Sequence, residues 1–173
     1  MERVIITSQN SMRFFKQAII LFYALSFLLL PAPSPAGELD ELRNKADQGY
    51  IKAQFKLAEA YYSGKGTSKN LGQAFFWYEK AAQQGHPKAQ RALGAMCLMG
   101  KGTVKEPEKA AYWYGKAAEE GLARAQTNLG ILYETGEGIM QHYEAAHFWY
   151  EKAAVQGYAR GQTYLGRICM SLA

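Results

Sequence analysis

Two stretches carry the residue types of phosphate-binding chemistry, Gly64-Lys65-Gly66-Thr67 and Gly100-Lys101-Gly102-Thr103. A phosphate loop needs a preceding strand, a wider glycine spacing and a helix whose N-terminal N–H groups receive the anion. Neither stretch offers these, and their recurrence marks them as a turn between helices. His86, His142 and His147 fail as a metal set, because two stand five apart and the third lies in a distant segment, while a structural zinc site needs about four N or S ligands. Cys97 and Cys169 complete the inventory of nucleophiles and soft ligands. No nucleophile elbow, paired-carboxylate or zinc-helix pattern occurs. The residues therefore imply no catalytic constellation, no resident cofactor and no metal.

Composition agrees with a single packed globular domain. The 173 residues are 49% hydrophobic and 20% charged, which excludes both a disordered acidic tail and an all-apolar membrane bundle. Two cysteines exclude a disulfide-dense scaffold, so stability must come from packing. The net charge of +5 is a mild excess, without the clustered basic face that nucleic-acid binding demands.

Much of that excess sits at the start. Arg3, Arg13 and Lys16 precede the apolar run Ala18 to Leu30, which gives way to Pro31-Ala32-Pro33-Ser34-Pro35-Ala36-Gly37. This is the charged, apolar and small-residue order of a secretory signal peptide over residues 1–36, with cleavage expected near Ala36. The apolar run makes roughly 20 Å of helix, short of the roughly 30 Å hydrocarbon core, and the prolines stop its extension. A periplasmic or secreted protein without a stable membrane anchor is expected. Met12 could open such a segment as well as Met1, and no cysteine follows the apolar run to carry a lipid.

Beyond Gly37 the chain repeats itself with a period of 36. Full copies run over 53–88, 89–124 and 125–160, flanked by half copies at 38–52 and 161–173. Ala53, Leu57, Ala58 and Tyr61 fall on one face of a first helix in each copy, helix A, and recur as Ala89, Leu93, Gly94 and Cys97, then Ala125, Leu129, Gly130 and Tyr133. A Gly-x-Gly turn ends helix A, and Asn70 with Gln73 is placed to cap the second helix, helix B. Helix B carries the stripe Ala74, Trp77, Tyr78, Ala81 and Ala82. Trp77, Trp113 and Trp149 recur on that stripe and are expected to form the buried spine. The fold class that follows is all-α, an αα-hairpin array of one domain over 37–173.

The pattern Ala-x-x-x-Leu-Gly-x-x-Tyr-x-x-Gly-x-Gly, then Ala-x-x-Trp-Tyr-x-Lys-Ala-Ala-x-x-Gly, resembles the Sel1-like repeat family, relatives of the tetratricopeptide repeats. Ala125 to Gly138 with Phe148 to Ala154 is the fullest match. The family's usual aspartate before helix B is Asn70, Glu106 and His142 here, so weaker caps are expected in the second and third copies. The resemblance implies a right-handed solenoid whose A helices line a concave face. The inward columns are then Lys52, Lys88, Arg124 and Arg160; Phe55, Arg91, Thr127 and Thr163; Glu59, Ala95, Ile131 and Arg167; and Tyr62, Leu98, Glu134 and Met170. From these, Lys52, Phe55, Glu59, Tyr62, Lys88, Arg91, Leu98, Arg124, Ile131, Glu134, Arg160 and Arg167 are the candidate partner-binding residues. The first column is basic in every copy, which reads either as a solvated edge of the array or as a contact for an acidic segment of a partner protein.

Exported members of the family act as regulators of envelope sensors, in host interaction, and as immunity proteins against envelope-directed toxins. The resemblance implies an exported, non-enzymatic protein-protein interaction module, an adaptor or regulator. A periplasmic immunity protein is the alternative, and an enzyme acting on cell-wall material or a β-lactam is the less favoured class. The cysteine-rich branch, with a disulfide in each repeat, is a poor guide. Cys97 and Cys169 lie two copies apart, about 20 Å at about 10 Å per stacked repeat, against a Cα limit of about 7 Å for a bridge. Both are expected to be free, small, buried residues. Leu165, Ile168, Cys169 and Leu172 in the last half copy have no helix B following in the sequence, so self-association or docking is expected through that end.

Overall fold

A computed structural model describes residues 35–172, with side chains described over 37–170. The expected signal peptide therefore falls almost wholly outside the described residues, as does the side chain of Leu172. Among the described residues eight helices follow one another: α1 Pro35–Asp47, α2 Ile51–Ser63, α3 Leu71–Gln83, α4 Pro87–Met99, α5 Pro107–Glu119, α6 Ala123–Thr135, α7 Tyr143–Val155 and α8 Ala159–Leu172. No strand occurs among the described residues. From α2 onward each helix packs on the next, giving the right-handed αα-hairpin solenoid expected from the repeat, with α2, α4, α6 and α8 as A helices.

The turns follow from glycine chemistry. Gly64, Gly100 and Gly136 end the A helices at φ of 78°, 65° and 74°, and their N–H groups donate back to the carbonyls of Ala60, Met96 and Leu132. The second glycine, at φ of 75°, 72° and 72° in Gly66, Gly102 and Gly138, meets the same conformational need, and in the second and third turns it also allows close approach. A Cβ on Gly102 would lie 2.2 Å from the Leu71 carbonyl oxygen, and one on Gly138 2.2 Å from the Pro107 carbonyl carbon, so each turn is pressed against the start of the previous helix B. Helix B is then capped by Asn70, whose Oδ1 accepts from the Gln73 N–H at 3.0 Å. Glu106 makes no such side-chain bond, as expected, but His142 does, with Nδ1 accepting from the Ala145 N–H at 3.2 Å. The third copy's cap is thus supplied by an imidazole.

The predicted spine is shifted by one residue. Tyr78, Tyr114 and Tyr150 are buried in all three copies, whereas only Trp77 of the tryptophans is; Trp113 and Trp149 are half-buried against the core. Adjacent residues on a helix point about 100° apart, and it is the tyrosine that faces helix A. A Cβ on Gly94 or Gly130 would stand 2.8 and 2.6 Å from the rings of Tyr114 and Tyr150, so the small residue of helix A is the socket for the tyrosine. Burial pushes the Tyr114 phenol up to about 12, and the Tyr78 and Tyr150 phenols upward as well.

A polar ladder runs through the same interior. Gln54, Gln90 and Gln126 are buried, and their Nε2 groups donate to the carbonyls of Ala46, Ala82 and Ala118 at 3.1, 3.3 and 3.1 Å, tying each helix A to the helix B before it. Gln84 and Gln156 donate in turn to the Oε1 atoms of Gln54 and Gln126, at 2.7 and 2.8 Å. At the equivalent place in the middle copy stands Glu120, which ionised has no proton to give, and the Oε1 of Gln90 is left buried without a partner.

The two ends differ. On α1, Glu38 and Lys45 are exposed at positions whose counterparts, Ala74, Ala110, Ala146 and Ala81, Ala117, Ala153, are buried, and Lys45 pairs with Glu41 at 2.6 Å. Charge here gives the stack a wettable end. On α8, Ile168 is buried and Leu165 half-buried against the third repeat, leaving a smaller apolar end than the sequence suggested. Both cysteines are free, Cys97 buried as expected and Cys169 exposed, contrary to expectation, because α8 has no helix B over that face among the described residues.

Candidate partner-binding face

The A helices bring the first part of the predicted site together. Lys52, Phe55, Lys56 and Glu59 from α2, His86 to Lys88 at the start of α4, and Glu120 to Leu122 before α6 line a depression of about 470 Å3. A second depression of about 520 Å3 adjoins it, sharing Phe55, Glu59 and Lys88 and adding Arg91, Arg124 and Gln156. Phe55, Pro87 and Leu122 supply apolar surface. The Phe55 ring stacks on His86 at 4.4 Å and 19°, and lies 5.8 Å from Tyr78. His86 Nδ1 accepts from the Ala89 N–H at 3.2 Å and caps α4. Burial, then the charge of Lys88, hold its pKa below the ordinary imidazole value, which keeps it in the neutral form that can accept.

Around this surface stand Lys52, Lys56, Lys88, Arg91 and Arg124. None forms an ion pair or hydrogen bond among the described residues. Lys52, Lys88 and Arg124 are each the second residue of a helix, where the positive end of the dipole opposes a cation. The five cations therefore gain no ion pair in the fold, and the three at helix starts are unfavourable to it.

The second part of the predicted site is spent internally. Glu134 accepts from Arg167 Nη2 through both oxygens, at 2.8 and 2.6 Å, and from the Tyr150 hydroxyl at 2.6 Å. The Arg167 and Arg160 guanidinium groups lie 4.5 and 5.5 Å from the centre of the Tyr164 ring, and Tyr164 is 5.2 Å from Tyr150. Tyr62, Leu98 and Ile131 are half-buried and pack on the core as floor, with Tyr62 6.4 Å from Tyr78. Of the twelve candidates, Lys52, Phe55, Glu59, Lys88, Arg91 and Arg124 line the depressions.

Periodicity missed Lys56, whose counterparts Ala92, Asn128 and Tyr164 carry no charge. It also missed His86, although its column reads Tyr50, His86, Leu122 and Tyr158, a run of rings and apolar groups before each helix A. The glutamine ladder had a legible signal, a polar residue recurring every 36 positions inside an apolar stripe.

The Sel1 repeat family model matches residues 51–86, 87–122 and 123–158, in tandem, each match beginning on the first residue of an A helix. The chain belongs to the Sel1 repeat family. Among curated proteins it is 37% identical over 64 residues to the secretory immunoglobulin A-binding protein EsiB of Escherichia coli, covering 37% of this chain and 13% of EsiB. Among solved structures it resembles c5321, a protective antigen of uropathogenic Escherichia coli, with a TM-score of 0.69 and 40% identity over 72% of this chain and 27% of that one. A Sel1 repeat protein from Oxalobacter formigenes gives a TM-score of 0.69 at 38% identity, covering 75% of this chain and 98% of that one. The chain thus spans only a small part of EsiB and about a quarter of c5321. Sel1 repeat proteins generally act as protein-protein interaction modules and are typically non-enzymatic scaffolds. Among the described residues no helix is long and apolar enough to cross a membrane, and no group of three or more metal-ligating side chains occurs.

Proposed function

We propose that this Sel1 repeat protein is an exported, non-enzymatic adaptor whose helix-A face holds an acidic segment of a partner protein around Phe55. One observation carries the reading: five cations, Lys52, Lys56, Lys88, Arg91 and Arg124, surround an apolar floor, outnumber the two carboxylates there, Glu59 and Glu120, and form no ion pair among the described residues. Three of them, Lys52, Lys88 and Arg124, are unpaired cations at helix starts, which costs the fold stability, and an anionic ligand offsets that cost on binding. The apolar floor adds an anchor for a hydrophobic side chain within the segment. Export rests on the residue order of positions 1–36, and a protein as the partner is in keeping with what EsiB is named for binding.

Labelled peptides sharing the same apolar residues, but with acidic or basic flanks, test this by fluorescence anisotropy. The acidic peptide should bind, more weakly as salt rises, and the double reversal Lys88→Glu with Arg124→Glu should lower affinity at least about tenfold with helicity unchanged. Equal binding of both peptides, or unaltered affinity in the reversed protein, contradicts the assignment.

A further inference from the structure

The B-helix side carries a second site of opposite chemistry. Between α5 and α7, over the end of α6, a cleft of about 450 Å3 is lined by the rings of Tyr112, Tyr133 and Trp149 and by the carboxylates Glu108 and Glu119. Its origin is a local departure from the repeat. At the junction of the first and second copies the matching stretch of α3 presents Gly72, Phe75, Glu79 and Gln83; at the next junction α5 presents Glu108, Ala111, Gly115 and Glu119. Bulk has been removed from the middle, and acid stands at both ends. A Cβ on Gly115 would meet nothing within 4 Å, so no packing need explains a glycine there, inside a helix where it costs about 1 kcal/mol relative to alanine.

The aromatic and charge content points to the occupant. Lys116, whose Nζ lies 5.9 Å from the centre of the Tyr112 ring, is the one cation lining the cleft. That pair is generic, since Lys80 over Phe76 and Lys152 over Phe148 repeat it at 5.5 and 5.1 Å. Glu119 is particular to this copy, its counterparts being Gln83 and Val155, whereas Glu108 recurs as Glu144; both are exposed and without an ion pair among the described residues. We propose that this cleft receives an arginine side chain of a partner protein, its planar guanidinium stacking on the rings and forking to the nearer carboxylate, while the other, about 16 Å away along α5, adds only longer-range attraction. A guanidinium is less strongly hydrated than an ammonium and suits both surfaces at once. The proposal stands apart from the helix-A groove, and the two together let one small solenoid hold an acidic segment on one side and a basic one on the other.

The probe is acetyl-arginine methylamide titrated into the intact protein, followed by the NMR signals of the Trp149 indole N–H and the Gly115 amide, with acetyl-norleucine methylamide and tetramethylammonium as controls. The arginine compound should saturate both signals and the norleucine compound should not. Replacing Glu108→Gln and Glu119→Gln together should weaken binding at least about fivefold. Gly115→Gln should abolish it while preserving the helix, since glutamine is the better helix former. Lys116→Gln should strengthen it by removing the resident cation, an effect of opposite sign that loss of structure would not produce. Failure to saturate, indifference to the two glutamate substitutions, or tetramethylammonium binding as tightly as arginine overturns the proposal.

Discussion

The two halves of the helix-A face use the same repeat positions to opposite ends. In the first half, Lys52, Lys88, Arg91 and Arg124 stand beside depressions with no internal partner; in the second, Glu134, Arg167 and Tyr150 close on one another. Glu134 and Arg167 are 33 residues apart, the fourth column of one copy facing the third column of the following copy. The corresponding positions at earlier junctions are Tyr62 with Ala95 and Leu98 with Ile131, which cannot form an ion pair. A column read along the repeat therefore says which residues point to the face. Whether they are open to a partner depends on the diagonal neighbour.

Breaking each half separately is the sharpest use of this contrast, and the largest effect belongs to the closed half. Tyr150→Ala removes a fully buried ring that fills the Gly130 socket and holds Glu134, and should cost about 3–5 kcal/mol, read as a large fall in Tm. Phe55→Ala in the open half should cost markedly less, because its ring is only half-buried, while removing peptide binding. The same logic separates Tyr114→Ala from Trp113→Ala, with the tyrosine the more damaging loss.

Charge reversal sharpens the contrast at lower amplitude. Arg167→Glu sets two carboxylates against each other and should destabilise by about 1 kcal/mol, the pair being partly exposed, without altering acidic-peptide affinity. Lys88→Glu should do the reverse, holding or slightly raising Tm, because a carboxylate suits the helix start, and lowering affinity. Thermal unfolding and anisotropy on both variants decide the matter, and matching effects would erase the distinction between the halves.

The middle copy offers a gain of stability. Glu120→Gln restores the donor that Gln84 and Gln156 provide elsewhere, satisfies the buried Oε1 of Gln90, and should raise stability by about 1 kcal/mol in denaturant titration. A neutral or negative result would mean that the bridging bond adds nothing at these positions.

The smallest effect is in pH. Folded His86 binds its proton less tightly than the unfolded chain does, so the unfolded state holds more protons between the two values. Its contribution is complete above about pH 6.5 and declines as pH falls through the folded pKa. His86→Asn keeps a capping acceptor without the titration and should flatten that part of the stability profile, as measured by denaturant unfolding at a series of pH values.

Much of the fold was legible because one period governs it. Gly64, Gly100 and Gly136 end helices where the repeat places them, and the Ala74, Trp77, Tyr78, Ala81 and Ala82 stripe is buried as read. The tryptophan and tyrosine of each helix B share that stripe, and only packing against Gly94 and Gly130 decides which of the two rings goes deeper. The site was legible as a set of columns but not as an open groove. Lys56 breaks the period, and Arg160 and Arg167 are taken up by Tyr164 and Glu134, contacts formed in three dimensions that no single column records.

The central claim is that the open half, around Phe55, is where a partner is held. A photo-crosslinking residue placed in the cell at position 56, and separately at 163, tests it most directly. The account predicts one defined protein adduct from position 56, lost when Lys88→Glu and Arg124→Glu are added, and none from position 163. An adduct from 163 equal to that from 56, or one from 56 that survives the charge reversals, would contradict it.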